Sequence, residues 1–340
     1  MNPPVTVLMS VHNGAAFLRP AVESVLAQTF ADFEFLILDD ASTDATPSLL
    51  AAWPDPRIRV LRIEKNIGLT ACLNRGLAEA RGEFIARQDA DDVWMPQRLG
   101  EHLAFLRTHP EVGAVGSQVR LIDERDRSLG RKDYPLTHAA ICWGHLFENA
   151  FAHAAVTFRA SVVRKAGGYD ETFTSAQDRE LWSRLSEQTE LANLPARLTT
   201  LRVRPDSITR THRRADLVRR AQEEHWRRLF PERPGTEEEH ALIAAFRSQV
   251  APADVPRFRR LVLDLAAKRP ATTDLRRTIA LLWERLGYNL LATAPALGLQ
   301  QIFDAIRTSP PRAFALPWLK IAALTLLGGD ARRFYEKFRS

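Results

Sequence analysis

Val5-Thr6-Val7-Leu8-Met9-Ser10-Val11, running into His12-Asn13-Gly14, is the stretch that decides the fold class. An apolar, β-branched run that stops at a turn reads as a strand buried on both faces of a parallel sheet and leaving it into a loop. Outward from it, Phe17, Leu18, Ala21, Val22, Val25 and Leu26 recur at helical spacing over 17–28, with Pro20 expected in the first turn. A second apolar run, Phe33 to Leu38, ends at Asp39-Asp40-Ala41-Ser42-Thr43-Asp44, and Thr46-Pro47 suits the N-cap and first position of the next helix. The alternation continues with strand 58–63, helix 69–80 closed by Gly82, strand 83–87, helix 96–108 opened by Pro96, and strand 112–122. It predicts an α/β fold, a mostly parallel sheet flanked by helices. Ligands of such sheets bind beyond the carboxyl ends of the strands, so the loops His12-Asn13-Gly14, Asp39-Asp40 and Asp89-Ala90-Asp91-Asp92 should share one rim.

From about residue 213 the pattern turns to helices with Arg-rich faces, broken by turn signals at Pro231–Gly235, Pro252, Pro270, Pro295 and Pro310-Pro311. We therefore expect two domains: 1–212, and a helical C-terminal extension over 213–340. The net charge of +6 is unevenly spread, with the first 212 residues at −3 and the remainder at +9. A basic helical tail points to an anionic partner such as a membrane surface or phosphorylated lipid; nucleic acid is not expected, because no recognition motif accompanies the charge. The tail's apolar faces ordinarily pack against protein. The sharper alternative is peripheral membrane attachment through Trp318, Leu319, Leu324 and Leu327, flanked by Arg312, Lys320, Arg332 and Arg333. Cys72 and Cys142 are far apart, each in an apolar stretch, which argues against a disulfide scaffold. With no signal-peptide core at the N-terminus and no uninterrupted apolar run long enough to span a bilayer, a cytoplasmic protein is expected, with the membrane's inner face as its possible station.

Gln88-Asp89-Ala90-Asp91-Asp92 sets three carboxylates directly after a strand. Adjacent like charges repel, so the arrangement is poor as structure. It suits a hard divalent cation, Mn2+ or Mg2+, which takes one or two carboxylates and completes its shell with phosphate oxygens. In isolation such a turn is more often a solvated loop or helix cap. Asp39-Asp40 forms a second acidic loop on the same rim, where one carboxylate could accept from a nucleobase N–H and another from ribose hydroxyls; an Asx-turn accounts for Ser42 or Asp44 in any case.

These loops, read together, resemble the family 2 glycosyltransferases of the GT-A fold. The resemblance is carried by Val11-His12-Asn13-Gly14, Ser24-Val25-Leu26-Ala27-Gln28-Thr29-Phe30, Asp39 to Asp44, Asn66-Ile67-Gly68, Ala80-Arg81-Gly82-Glu83-Phe84-Ile85-Ala86 and Asp89-Ala90-Asp91-Asp92. It covers roughly residues 5–210, in matching order and spacing, and leaves out the tail. It implies transfer of a sugar from a nucleotide-diphosphate sugar, a UDP-sugar first among them, to a hydroxyl of a growing glycan or lipid-linked glycan in polysaccharide or cell-envelope biosynthesis. By the same resemblance Asp40 meets the base with Asp39 in support, and Val11, His12, Asn13, Asn66 and Arg75 belong to the nucleotide side. Asp89 falls near ribose and metal, and Asp91 is the metal ligand. Asp92 matches a supporting or capping position.

An inverting transferase also needs a base for the acceptor hydroxyl. Gly167 to Phe173, followed by Ser175-Ala176-Gln177-Asp178-Arg179-Glu180-Leu181-Trp182, resembles the family motif in which an acidic residue precedes a Leu-Trp pair, and Asp178 matches that base. Many relatives have Glu-Asp where this chain has Gln177-Asp178. The ordinary alternative is that Asp178 caps a helix over 178–187. His153 and Arg204 are acceptor-side candidates by position; a lone His is more often structural, and at Arg204 relatives commonly carry His. Without a Gln-x-x-Arg-Trp motif or several membrane helices, single addition is expected rather than processive synthesis. Among rival classes, a sugar-1-phosphate nucleotidyltransferase lacks its Gly-rich basic loop after strand 5–11, and a dehydrogenase lacks G-x-G-x-x-G there. A catalytically silent protein of the same fold is the remaining alternative.

Overall fold

A computed structural model of the chain describes residues 3–204, 215–248, 250–268, 273–290 and 294–308. The chain divides into two compact units, one of residues up to Tyr134 with Phe151–Glu224, the other of Pro135–Ala150 with the chain from His225 onward.

The first unit is built on a sheet of nine strands. Parallel strands β1 (Val5–Val11), β2 (Phe33–Asp40), β3 (Ile58–Ile63) and β4 (Phe84–Asp89) stand in the order β3-β2-β1-β4. Beyond β4 come β8 (Thr157–Arg159), β6 (Val112–Ile122), β9 (Glu190–Arg202) and the two-residue β5 (Val93–Trp94), with β7 (Ser128–Lys132) also on β6. β8 runs antiparallel to both its neighbours, while β6 and β9 are parallel. The expected α/β fold is borne out, with the parallel strands confined mainly to one half.

β1 is buried along nearly its whole length, as its composition requires. Its two faces take different helices. Val5, Val7, Met9 and Val11 share a core with Leu18, Ala21, Val22 and Val25 of α1 (Leu18–Leu26) and with Leu99, Leu103 and Leu106 of α4 (Arg98–Thr108). Leu8 points the other way, toward α3 (Leu69–Glu79), whose Gly76 lies so close that a Cβ there would stand 2.4 Å from Leu8 Cδ1. Fully burying one such leucine is worth about 1.5–3 kcal/mol. Pro20 sits in the first turn of α1 as expected, Thr46 and Pro47 open α2 (Thr46–Ala51), and Pro96 lies two residues before α4 begins. α6 (Ala160–Lys165), α7 (Gln177–Leu185) and the first part of α8 (Ala215–Leu229) complete the unit.

Register fixes the rim. Val11 pairs with Asp39, Ser10 with Asp89 and Asp40 with Ile63, so β1, β2, β3 and β4 end at one level.

In the second unit, α5 (His138–Gly144) joins α9 (Glu237–Ser248), α10 (Val255–Ala266), α11 (Thr273–Leu290) and α12 (Pro295–Thr308) around Trp143, Phe147, Trp226, Phe246, Phe258 and Trp283. This differs from a single cut at residue 212. Residues 135–150 go with the helices because Trp143 and Phe147 bury there and because Asp274, at the start of α11, accepts from the Leu136 and Thr137 amides and the Thr137 hydroxyl. Between 215 and 308 every described regular element is helical, as expected, and among the described residues no helix is long and apolar enough to cross a membrane. The residues named for membrane attachment, from Arg312 onward, lie outside the described residues, as does residue 212 itself.

Candidate active site

The loop after β1 is held by the loop after β2. Asn13 adopts a left-handed conformation (φ 52°), which aims its amide at the Ser42 hydroxyl (2.9 Å) and lets its Oδ1 accept from the Thr43 amide (2.8 Å). His12 Nδ1 donates to the Asp40 carbonyl at 2.7 Å, so Nε2 is the ring acceptor for Asn13 Nδ2 at 3.2 Å. Both side chains are exposed, whereas that of Val11 is buried in the sheet core.

Asp39 and Asp40 close β2, 1% and 2% exposed. Asp39 Oδ1 accepts from the Ser42 amide at 3.0 Å. Both oxygens of Asp40 are engaged: Oδ1 accepts from Ile67 N at 2.9 Å and Oδ2 from Gly68 N at 3.0 Å, while Asn66 Nδ2 donates to the Asp40 carbonyl. Gly68 stands at φ 84°, a conformation costly to a side chain, and this turn opens α3. Asp40 therefore fastens the start of α3 to the end of β2. Arg75, expected on the nucleotide side, lies in the second turn of α3, 63% exposed, with its guanidinium 2.9 Å from Glu79.

The Asp89 turn differs in kind. Arg87 and Asp89, two apart on β4, share a face; the wholly buried Arg87 donates to Asp89 Oδ1 at 2.5 Å and also to the Leu8 carbonyl. Asp89 and Asp91 keep 34% and 29% of their side chains exposed. Burial, and then the neighbouring Asp89 carboxylate, push the Asp91 carboxyl up to about 6, against the pull of Arg204, whose Nη1 is 3.6 Å from Asp91 Oδ2. Asp92 turns inward, 4% exposed, and accepts from the Arg202 amide at 2.8 Å, tying the turn to β9; burial raises its carboxyl well above the usual range. The Arg202 guanidinium donates to the Asp91 carbonyl, and both Arg202 and Arg204 stand over the Phe17 ring, at 4.6 and 5.3 Å.

Asp178 is half-buried in the first turn of α7. It is not the N-cap: that position belongs to Ala176, in the left-handed region at φ 57°, and α7 begins at Gln177 rather than at 178. A carboxylate in the first turn suits the helix dipole. His153 Nε2 meets the Tyr169 hydroxyl at 2.9 Å, and its ring lies edgewise to Trp182. Burial, with Arg87 adding to it, pushes the His153 imidazole down to about 4, while Asp178 and Asp89 pull the other way. The carboxylate of α7 and the carboxylate ending β4 thus act on the same ring.

The fold brings the loops of His12, Asp39-Asp40, Asn66 and Asp89-Asp91 to one rim, with Arg204 beside Asp91 and His153 under the influence of both Asp89 and Asp178. Sequence reasoning missed Arg87, whose i, i+2 spacing to Asp89 on a strand was a usable signal.

The family model described as Glycosyl transferase family 2 matches residues 6–162. An amylovoran biosynthesis glycosyltransferase, AmsE of Erwinia amylovora, is 31% identical over 211 residues, 60% of this chain and 78% of its own length. Among curated relatives matched, the chain spans 66, 68 and 78% of the lengths of three. Two solved structures share the fold at low identity. S. aureus TarS 1-349 in complex with UDP-GlcNAc matches at a TM-score of 0.57 and 15% identity, covering 96% of this chain and 92% of that one. The mannosyltransferase PcManGT from Pyrobaculum calidifontis, in complex with GDP-Man and Mn2+, matches at 0.51 and 19%, covering 96% and 85%.

Proposed function

The chain belongs to glycosyltransferase family 2, and from that premise we propose that it moves a sugar, with inversion, from a nucleotide-diphosphate sugar to a hydroxyl of a growing polysaccharide or lipid-linked glycan. The observation that carries the reading is the partly exposed Asp89-Asp91 pair at the level where β1, β2 and β4 end. The nucleotide lies against the His12-Asn13 loop and the Asn66-Ile67-Gly68 turn. Because both Asp40 oxygens already accept from amides, its part on the nucleotide side is first to shape that turn, and any base contact uses the lone pairs that remain.

The donor set at the second acidic turn fits a hard divalent cation: two carboxylates facing solvent, one with its proton affinity raised by burial and by its neighbour. Asp91 with Asp89 would hold Mn2+ or Mg2+, and such an ion neutralises charge on a departing diphosphate. Arg87 keeps Asp89 in place from below. Arg204, over Phe17 and beside Asp91, would offer its guanidinium to phosphate oxygens.

Asp178 takes the acceptor's proton. The acceptor oxygen bonds to the anomeric carbon as the bond from that carbon to the diphosphate breaks, and holding the two in line supplies much of the rate. His153, neutral at physiological pH, lines the acceptor side with an imidazole that does not compete for the proton. UDP-GlcNAc and GDP-Man, the donors bound by the two structural neighbours, head a screen of nucleotide sugars for Mn2+-dependent hydrolysis. Turnover that disappears in Asp178→Asn supports the reading; a chain inert toward every donor is the silent binding protein instead.

A further inference from the structure

α3 links the turn after β3 to the segment that leads into α7 through side chains that touch no expected ligand position. Its N-terminus is fastened by the Asp40 carboxylate through the Ile67 and Gly68 amides. Four residues apart, and so on one face of its first two turns, stand Thr70 and Asn74. Thr70, 6% exposed, donates its hydroxyl to the Phe173 carbonyl at 2.9 Å. Asn74 brackets Tyr169: Oδ1 accepts from the Tyr169 amide at 2.8 Å, and Nδ2 donates to the Tyr169 carbonyl at 2.9 Å and to Glu171 Oε1 at the same distance.

The segment so held has little regular structure of its own. It enters through Gly167 and Gly168, both at positive φ, passes Tyr169 and Phe173, which are buried, and turns at Ala176 into the first turn of α7. That turn carries Asp178. The Tyr169 hydroxyl meets His153, so the same clasp sets the second acceptor-side group. Backbone in left-handed conformations keeps one shape only when its surroundings determine it. Here such contacts come from the same first turns of α3 that are fastened to the nucleotide-side rim, beside those that Arg184 of α7 makes to the Ala166 and Gly168 carbonyls.

We propose that Thr70 and Asn74 are positioning residues of the transfer step, holding Asp178 and His153 at a set distance from the donor through α3. The proposal rests on the reading of Asp178 as the base. An error of about 1 Å in such a group can cost about 100-fold in rate.

Thr70→Val keeps the shape and removes the hydroxyl, Thr70→Ser keeps the hydroxyl, and Asn74→Ala removes the bracket. Steady-state transfer with the donor found by the nucleotide-sugar screen should show kcat about 10- to 100-fold lower in Thr70→Val and Asn74→Ala. Donor KM should stay within about twofold of wild type, and Thr70→Ser should recover most of kcat. Hydrogen exchange read in the same proteins should quicken at the Tyr169 amide in Asn74→Ala and stay unchanged in β1, β2 and β4. Wild-type kcat in both damaging variants, beside a dead Asp178→Asn, overturns the clasp alone. So does loss of donor KM and melting temperature in step with kcat and without rescue by serine, which marks ordinary structural damage. Full turnover in Asp178→Asn, or no turnover of any donor by the wild type, overturns the reading beneath it as well.

Discussion

The turns that end β2 and β4 are both acidic, both follow a parallel strand, and have opposite physical characters. Asp39 and Asp40 are almost wholly buried, and three of their oxygens accept from the backbone amides of Ser42, Ile67 and Gly68. Asp89 and Asp91 are about one-third exposed, lie beside each other, and one of them holds its proton up to about pH 6. The first pair spends its charge on protein structure; the second leaves charge over for something that arrives. On the proposed reading, the turn left to meet a cation is the one whose carboxylates have fewer backbone amides aimed at them.

The largest effect expected is that of Asp178→Asn, which removes the proposed base. Transfer should fall about 100- to 10,000-fold while donor affinity, read by calorimetry with Mn2+, stays near wild type. Next, Asp91→Ala should lower transfer by about 100-fold or more by removing metal-dependent donor binding, yet leave the melting temperature unchanged or raised, because a like-charge contact is relieved. Asp40→Asn should behave in the opposite way. An amide nitrogen set against the Ile67 or Gly68 N–H leaves a buried donor unsatisfied, and urea denaturation should show a loss of about 1–3 kcal/mol. If Asp40→Asn melts like wild type, or Asp91→Ala unfolds, the contrast between the two turns is wrong.

A smaller effect is the pH dependence. A cation binds the ionised carboxylate, and the Asp91 carboxyl, raised to about 6, becomes protonated as pH falls through that value. Mn2+-dependent donor affinity should be flat above about pH 7 and drop about tenfold per pH unit below about 6. His153 stays neutral down to about 4, so His153→Gln should leave this limb where it is. The smallest effect on stability is that of Arg75→Ala, which removes an exposed helix ion pair and should change it by no more than about 0.5 kcal/mol.

The parallel half of the sheet was legible in the sequence because a strand buried on both faces must be mostly apolar, and β1, apart from Thr6 and Ser10, and the first six residues of β2, apart from Glu34, are. Of the other half only β6 was, at the expected 112–122. β5 has two residues and β8 three, too short for a period, and β7 is Ser-Leu-Gly-Arg-Lys, a polar strand paired on one side. β9 contains Pro195, and its pairing with β6 slips there, from Leu194 opposite Ser117 to Arg197 opposite Gln118. The placement of 135–150 with the helical unit was equally hidden, since the identity of the core that takes Trp143 is a tertiary fact. At the site, the acidic turns could be found from their strands, but their difference could not. Whether Asp40 or Asp91 meets an amide depends on where the 66–68 turn stands. Thr70 and Asn74 are ordinary polar helix residues until the chain a hundred residues on comes to rest against them.

The place of a bound cation separates the two acidic turns most directly. Crystals grown with UDP and Mn2+, measured at the manganese absorption edge, should give an anomalous peak about 2–2.5 Å from an Asp91 carboxylate oxygen, with none at Asp39 or Asp40. A peak at the buried pair, or a bound nucleotide with no manganese beside Asp91, would contradict this placement.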